Sequence, residues 1–461
     1  LNLLPPLRIP RMLLDPRDGR LPQGDADGLV SVMLEIESGR IRALHPAHEP
    51  PDAPGSGRDA PGPTPPGPPL ALTPLVEPHA HLDKAFSAAR FPNRDGTIAA
   101  AVAANQAETS CRTAEDLEQR AGRALRLAWR QGLRAIRSHV DCGGERGDLS
   151  LEVLEGLRRR WADRLELQLV GLVPIHHWGS GQGRKQARWL AERGGRLGGV
   201  IGGPFGIGSG DGEAVLETLR LADQLGCGVD LHLDEGISHR GRGVRLVCGE
   251  LERQRLQVPV VCSHACSMAL LPPRACQRLV ERMARLALGV VALPSTNLWL
   301  LDRRAEATPT RRAQAPIRQL QNSGVVVAVG GDNVQDAWFP GGDFDPLEVL
   351  RFAVVASHLH PWSRQGLSPF STAASQLLQL EWDGILRPGS PADLVVHDAR
   401  NWTELLARSP QRRVMRGGVW LPKPEREEPA ALLRGWGEPG DGSPMGDGVT
   451  SGLPEGSDWT A

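Results

Sequence analysis

Pro74-Leu75-Val76-Glu77-Pro78-His79-Ala80-His81-Leu82-Asp83-Lys84 reads as an apolar strand ending in two histidines. Side chains two positions apart on a strand point to the same side, so His79 and His81 can reach one metal ion together. His-x-His also arises by chance and gains meaning only from polar residues at the ends of other strands. Working outward from this strand at 74–79, strand-like segments recur at 135–139, 166–172, 199–201, 228–232, 258–264, 289–293 and 324–330. Helical spacing fills most intervals, over 114–130, 212–225, 275–288 and 311–322. Eight strands with helical crossovers predict an α/β protein built on a (β/α)8 TIM-like barrel, and 74–350 suits its usual length of about 250 residues or more. The Gly-rich fourth strand carries the weakest signal.

The flanks predict a small β-sandwich module assembled from both chain ends. Residues 29–36 and 39–44 resemble two strands around a turn. Residues 386–396 form a turn leading into a strand, and 413–419 form a further strand. The expected organisation is therefore 1–70 for the N-terminal part of the small domain with a Pro/Gly-rich connector at 51–70, and 71–380 for the catalytic barrel. The C-terminal part of the small domain follows at 381–421, then a flexible tail at 422–461.

Composition narrows the function classes. Lys and Arg number 53 against 54 Asp and Glu, which gives no electrostatic case for nucleic acid or an anionic membrane as partner. No stretch approaches 18 apolar residues, so no membrane-spanning helix is expected, and no signal peptide is read at the N-terminus. Seven cysteines without a CxxC fit a reduced, cytoplasmic setting better than a disulfide framework. Cys262 and Cys266 flank His264, but small apolar packing beside a buried strand end is the simpler role.

Barrel chemistry sits at the C-terminal ends of strands. Those positions hold His79 and His81, His139 with Asp141, His232 with Asp234 and Glu235, His264, and Asp332. A core has no need of these groups, because burying an unpaired imidazole or carboxylate is costly. His79, His81, His232 and Asp332 would hold one divalent metal with a position left for water, whose lowered pKa supplies hydroxide near neutral pH. Glu235 lies just past the strand end and is assigned proton transfer. His264 would donate to the oxygen that becomes tetrahedral, and Asp332 would also accept the water proton. His139 is expected to orient a ligand or a loop.

The constellation resembles the metal-dependent amidohydrolase superfamily and, within it, the cytosine deaminase-like branch. The resemblance rests on Val76–Asp83, His232–Glu235, Ser263-His264, Pro294–Leu298 and the segment Gly330-Gly331-Asp332-Asn333 through Trp338-Phe339-Pro340. It spans about 30–420. It implies hydrolysis of an exocyclic amino group on an N-heterocycle, with Fe2+ or Zn2+ as cofactor, a small N-heterocyclic substrate as partner, and a homo-oligomeric assembly. Two-metal relatives carry a carboxylated Lys at the end of strand four. Lysine occurs here only at 84, 185 and 423, so a single metal is expected.

Two departures bear on substrate. Where cytosine deaminases place a Gln after the strand-three Pro, this chain has Ile175, which cannot replace two hydrogen bonds. Asn333 stands where they have a second Asp, and its amide both donates and accepts. Ile175, Asn333, Trp338 and Lys84 are thus the candidate substrate contacts, with a salt bridge to Asp83 as the other reading of Lys84. The preferred ring is therefore cytosine-like, isoguanine-like or aminotriazine-like. Hydrolysis of a cyclic amide or an N-alkylamino group is the alternative within the superfamily. A metal-binding scaffold without catalysis is the alternative outside it.

Overall fold

The computed structural model describes residues 2–47, 67–201, 207–407 and 411–422. Most of the expected connector and nearly all of the expected tail lie outside the described residues. Leu1–Leu421 form one compact unit.

All eight expected barrel strands are present: Leu75–Ala80 (β1), Leu133–Asp141 (β2), Glu166–Leu172 (β3), Arg196–Ile201 (β4), Val229–Leu233 (β5), Val260–His264 (β6), Gly289–Ala292 (β7) and Val326–Val329 (β8). Each pairs in parallel with its sequence neighbour. The last strand meets the first through Asp332, whose N–H donates to the His79 carbonyl at 3.0 Å. The Glu77 carboxylate completes the seam by accepting the Gly331 N–H at 3.0 and 3.1 Å and the His79 N–H at 3.1 Å. A Cβ at Gly330 would lie 2.6 Å from Glu77 Oε1, which explains the glycine before the Gly-Asp turn. Burial pushes the Glu77 carboxyl up to about 8, against the lowering effect of these N–H donors.

The fourth strand is longer than expected, and its glycines have a steric cause. The 3-10 turn Ile175–Gly179 folds over it, with Trp178 Nε1 donating to the Gly198 carbonyl at 2.7 Å. A Cβ at Gly198 would sit 2.6 Å from the Gly171 carbonyl oxygen and 2.8 Å from Val170 Cγ1. Gly198→Ala is therefore expected to destabilise the protein by about 1–3 kcal/mol, read as a lower denaturant midpoint at unchanged m-value. The helix expected over 311–322 forms only at Ile317–Asn322, because Pro316 disfavours helical backbone at the residue before it.

Two four-stranded antiparallel sheets flank the barrel. One comprises Asn2–Leu3, Leu7–Pro10, Leu29–Glu37 and Arg40–Pro46, with Ser38 and Gly39 both at positive φ in a tight hairpin turn. The other joins Ala71–Leu72 to Leu394–His397, Arg412–Arg416 and Val419–Trp420. The single strand expected at 413–419 is thus a hairpin, turned by Gly417 and Gly418 at φ 51° and 75°. Bridges at Leu14–Leu386 and Arg40–Pro391 knit the two chain ends together, and a third at Arg8–Leu70 joins two N-terminal segments. No described helix is long and apolar enough to cross a membrane.

His397, at the end of its strand, is buried with neither ring nitrogen hydrogen-bonded. Burial, helped by the Arg412 charge, lowers its pKa to about 3. An imidazole held neutral in the fold contributes full stability above the unfolded pKa of about 6.5, and that contribution is lost as pH falls toward 3. Between pH 7.5 and 5.5 the wild type is expected to lose about 1.4 kcal/mol more than His397→Gln, measured by urea unfolding of both.

Candidate metal centre

Period-two alternation sorts the barrel interior. On β5, Asp230 and His232 face inward, whereas Leu231 and Leu233 pack outward in the core. On β2, Arg137 and His139 share the inward face. Ser263 and His264 are adjacent, yet both serve the interior. The left-handed backbone of His264, at φ 67°, turns its ring inward at the strand end. Asp332, also at φ 67°, is the equivalent at the end of β8.

Three groupings among the described residues bring one ligand atom each within 4.8 Å of one another: His79, His81 and His232; His79, His264 and Asp332; His79, His139 and Asp230. None includes a cysteine. All of these side chains are buried. His81 Nε2 and His79 Nε2 lie 3.2 and 3.5 Å from Asp332 Oδ1. His79 Nε2, both nitrogens of His232 and His264 Nε2 have no hydrogen-bond partner within the protein. The orphan nitrogens of His79 and His232 beside the Asp332 carboxylate are what a divalent metal would satisfy, so the set His79, His81, His232 and Asp332 fits one.

The electrostatics agree. Burial, and then the mutual repulsion of neighbouring imidazoles, holds His79 and His232 well below the usual histidine pKa, in the neutral form a ligand needs. Burial opposes the charge of Asp332, but His81 and His264 keep its carboxyl below the usual range. Glu235 is raised, by burial first and then by Asp332. Its Oε2 lies 3.6 Å from His264 Nε2.

Several partners of these groups were not legible in the sequence. Asn297, on the helix Pro294–Leu300, donates its amide to His264 Nδ1 at 3.0 Å. The Nε2 of His264 therefore carries the ring proton and faces Glu235. His81 Nδ1 donates to the His139 carbonyl at 3.1 Å. His139 stacks on His79 with ring centroids 3.8 Å apart. Asp234 is structural: it accepts the Gly243 and Val244 N–H groups at 3.0 and 2.9 Å, at the start of the helix Arg242–Gln254.

Of the candidate substrate contacts, Lys84 pairs with Asp141, Nζ to Oδ1 3.0 Å, and lies 5.6 Å from the Trp338 ring centroid. The Asp83 pairing expected for it is taken by Arg112 at 3.3 Å. Asn333 is buried beside Asp332 and donates Nδ2 to Asp336 Oδ2 at 2.8 Å, which engages one of its two amide N–H groups. Trp338 Nε1 has no partner within the protein. Ile175 is not brought to the cluster. Its Cδ1 lies 2.6 Å from where a Cβ of Gly199 would be, and Gly199 pairs with Leu231, so Ile175 packs on the outward face of β4. Its neighbours are also engaged elsewhere, His176 with Asp211 at 2.8 Å and His177 with Gln186 at 2.6 Å.

Comparison with known proteins shows what the chain is similar to. Residues 94–421 match the model of the Amidohydrolase family. A pterin deaminase from Rhizobium rhizogenes is 30% identical over 396 residues, covering 85% of this chain and 87% of that protein. The structure of a 5-methylcytosine deaminase from Klebsiella pneumoniae liganded with 5-fluorocytosine superposes with a TM-score of 0.73 at 25% identity, over 87% of this chain and 96% of that one. An N-isopropylammelide isopropylaminohydrolase from Burkholderia multivorans shares the fold, with a TM-score of 0.66 at 23% identity, over 90% and 98% of the two chains.

Proposed function

The chain belongs to the amidohydrolase family, and from that premise we propose that it is a metal-dependent hydrolytic deaminase of N-heterocycles. The observation that carries this reading is the grouping of His79, His81 and His232, with unpartnered ring nitrogens on His79 and His232 and the Asp332 carboxylate 3.2 and 3.5 Å from His81 and His79, and with the Glu235–His264 pair nearby. Water adds to the ring carbon that bears the amino group, the C–N bond breaks, and ammonia leaves a ring carbonyl behind. One divalent ion, Fe2+ or Zn2+, would be held by His79, His81, His232 and Asp332. When bound, it supplies Lewis-acid activation of water near neutral pH.

The chain's own residues divide the remaining work. Asp332 accepts the proton that water gives up. Glu235, biased by burial toward its protonated form, passes a proton to the ring and the leaving amine. His264 donates its Nε2–H to the oxygen as negative charge develops there. Asn333 keeps its carbonyl oxygen and one N–H, because Asp336 engages only the other N–H, and so can both accept from and donate to the substrate ring. Trp338 offers a ring face and Lys84 a cation at the same rim. With Ile175 turned away, substrate selection falls to these three. Seven free cysteines fit a reducing compartment such as the cytoplasm.

The test is ammonia release by metal-loaded protein from cytosine, isoguanine, pterin, aminotriazines and a creatinine-like ring, with N-alkylaminotriazines and cyclic amides in parallel. Turnover of an amino-substituted ring is expected. Turnover confined to cyclic amides or N-alkylamino groups would move the reaction class, and no turnover of any compound would remove the deaminase reading.

A further inference from the structure

Below the ligand cluster lies a second layer of polar groups that the reaction does not use. Arg137 NH1 donates to Asp230 Oδ2 at 2.9 Å, with both side chains fully buried. The guanidinium is anchored further by Gln168 Oε1, at 3.0 and 3.2 Å, and by the Leu377 carbonyl at 3.3 Å. The other oxygen of Asp230 accepts the Ser263 hydroxyl at 2.8 Å. Ser263 Oγ lies 3.0 Å from His79 Nδ1.

Hydrogen counting fixes the direction of this chain. Paired with Arg137, the Asp230 carboxylate can only accept. Ser263 has one hydroxyl hydrogen, and Asp230 takes it. The contact between Ser263 and His79 must then run from Nδ1–H to Oγ. His79 therefore carries its proton on Nδ1 and presents Nε2 as a bare lone pair, the nitrogen that faces Asp332 at 3.5 Å. We infer that Asp230 and Ser263, backed by Arg137, are positioning residues that fix the tautomer of His79 and aim Nε2 at the metal. This inference rests on reading the cluster as a metal centre.

The same counting predicts an inversion. In Asp230→Asn, the Arg137 N–H still requires an oxygen, so the amide NH2 turns toward Ser263. The Ser263 hydroxyl, now an acceptor from that amide, is free to donate to His79 Nδ1. The proton of His79 moves to Nε2, where it blocks ligation. Ser263→Ala, by contrast, only removes a partner, and Ser263→Thr restores the hydroxyl.

The test measures zinc affinity by chelator competition, and the His79 tautomer from imidazole 15N shifts, in the full-length wild type and the three variants. Asp230→Asn is expected to bind zinc 10–100-fold more weakly, as is usual when an outer partner of a ligand is changed. Its metal-free spectrum should show Nε2–H where the wild type shows Nδ1–H. Ser263→Ala should fall between them, and Ser263→Thr should match the wild type. Wild-type affinity with Nδ1–H retained in Asp230→Asn would overturn the inference. If that variant does not fold, equal affinity in Ser263→Ala and the wild type would overturn it instead. A wild type that binds no zinc would sink the metal centre, and its metal-free 15N spectrum would still decide the tautomer.

Discussion

Glu235→Gln is expected to retain the metal content of the wild type and to lower kcat by about 10²–10⁴-fold, the usual contribution of a positioned acid–base group. The two side chains have the same shape, and Glu235 makes no ion pair that the fold needs. Its nearest partner is His264 Nε2 at 3.6 Å. What the amide lacks is a transferable proton. Metal analysis beside steady-state kinetics separates the roles. Unchanged turnover would remove Glu235 from proton transfer, and loss of metal would make it a ligand.

His232→Ala is expected to do the opposite. Both nitrogens of His232 are buried and without a partner in the protein, so the fold gains little from the ring itself. Its removal should leave a folded protein whose metal affinity falls by more than the roughly 10–100-fold typical of losing an outer hydrogen-bond partner, with activity at background. Leu231→Ala, one residue away on the outward face, should cost about 2–5 kcal/mol of stability and leave metal stoichiometry intact. Period-two alternation on β5 thus separates two phenotypes by a single position. A His232→Ala protein with a full complement of metal would contradict its assignment as a ligand.

How much of this was legible in the sequence follows from the range of each interaction. Strands ending in His or Asp are local signals, and all eight barrel strands appear where apolar runs placed them. Arg137 and Asp230 were also within reach of the same rule, because each lies two positions before an inward-facing histidine. A charged residue inside an apolar strand was the clue. Asn297 carried no such mark, since its contact with His264 depends on how one short helix follows β7. Ile175 is the reverse case. Its place after Pro174 suggested a substrate contact, but the glycines of β4 open a slot on the outward face, and the apolar side chain fills it. The partner of Lys84 depended on which of two nearby carboxylates Arg112 already holds.

The central claim, that this barrel exchanges a ring amino group for a water oxygen, is tested most directly by turnover of an aminoheterocycle in 18O-labelled water. The expected result is one ammonia released for each solvent oxygen incorporated as a ring carbonyl, with both signals lost after chelation and restored by Zn2+ or Fe2+. Ammonia released without label in the ring, or turnover indifferent to chelation, would contradict it.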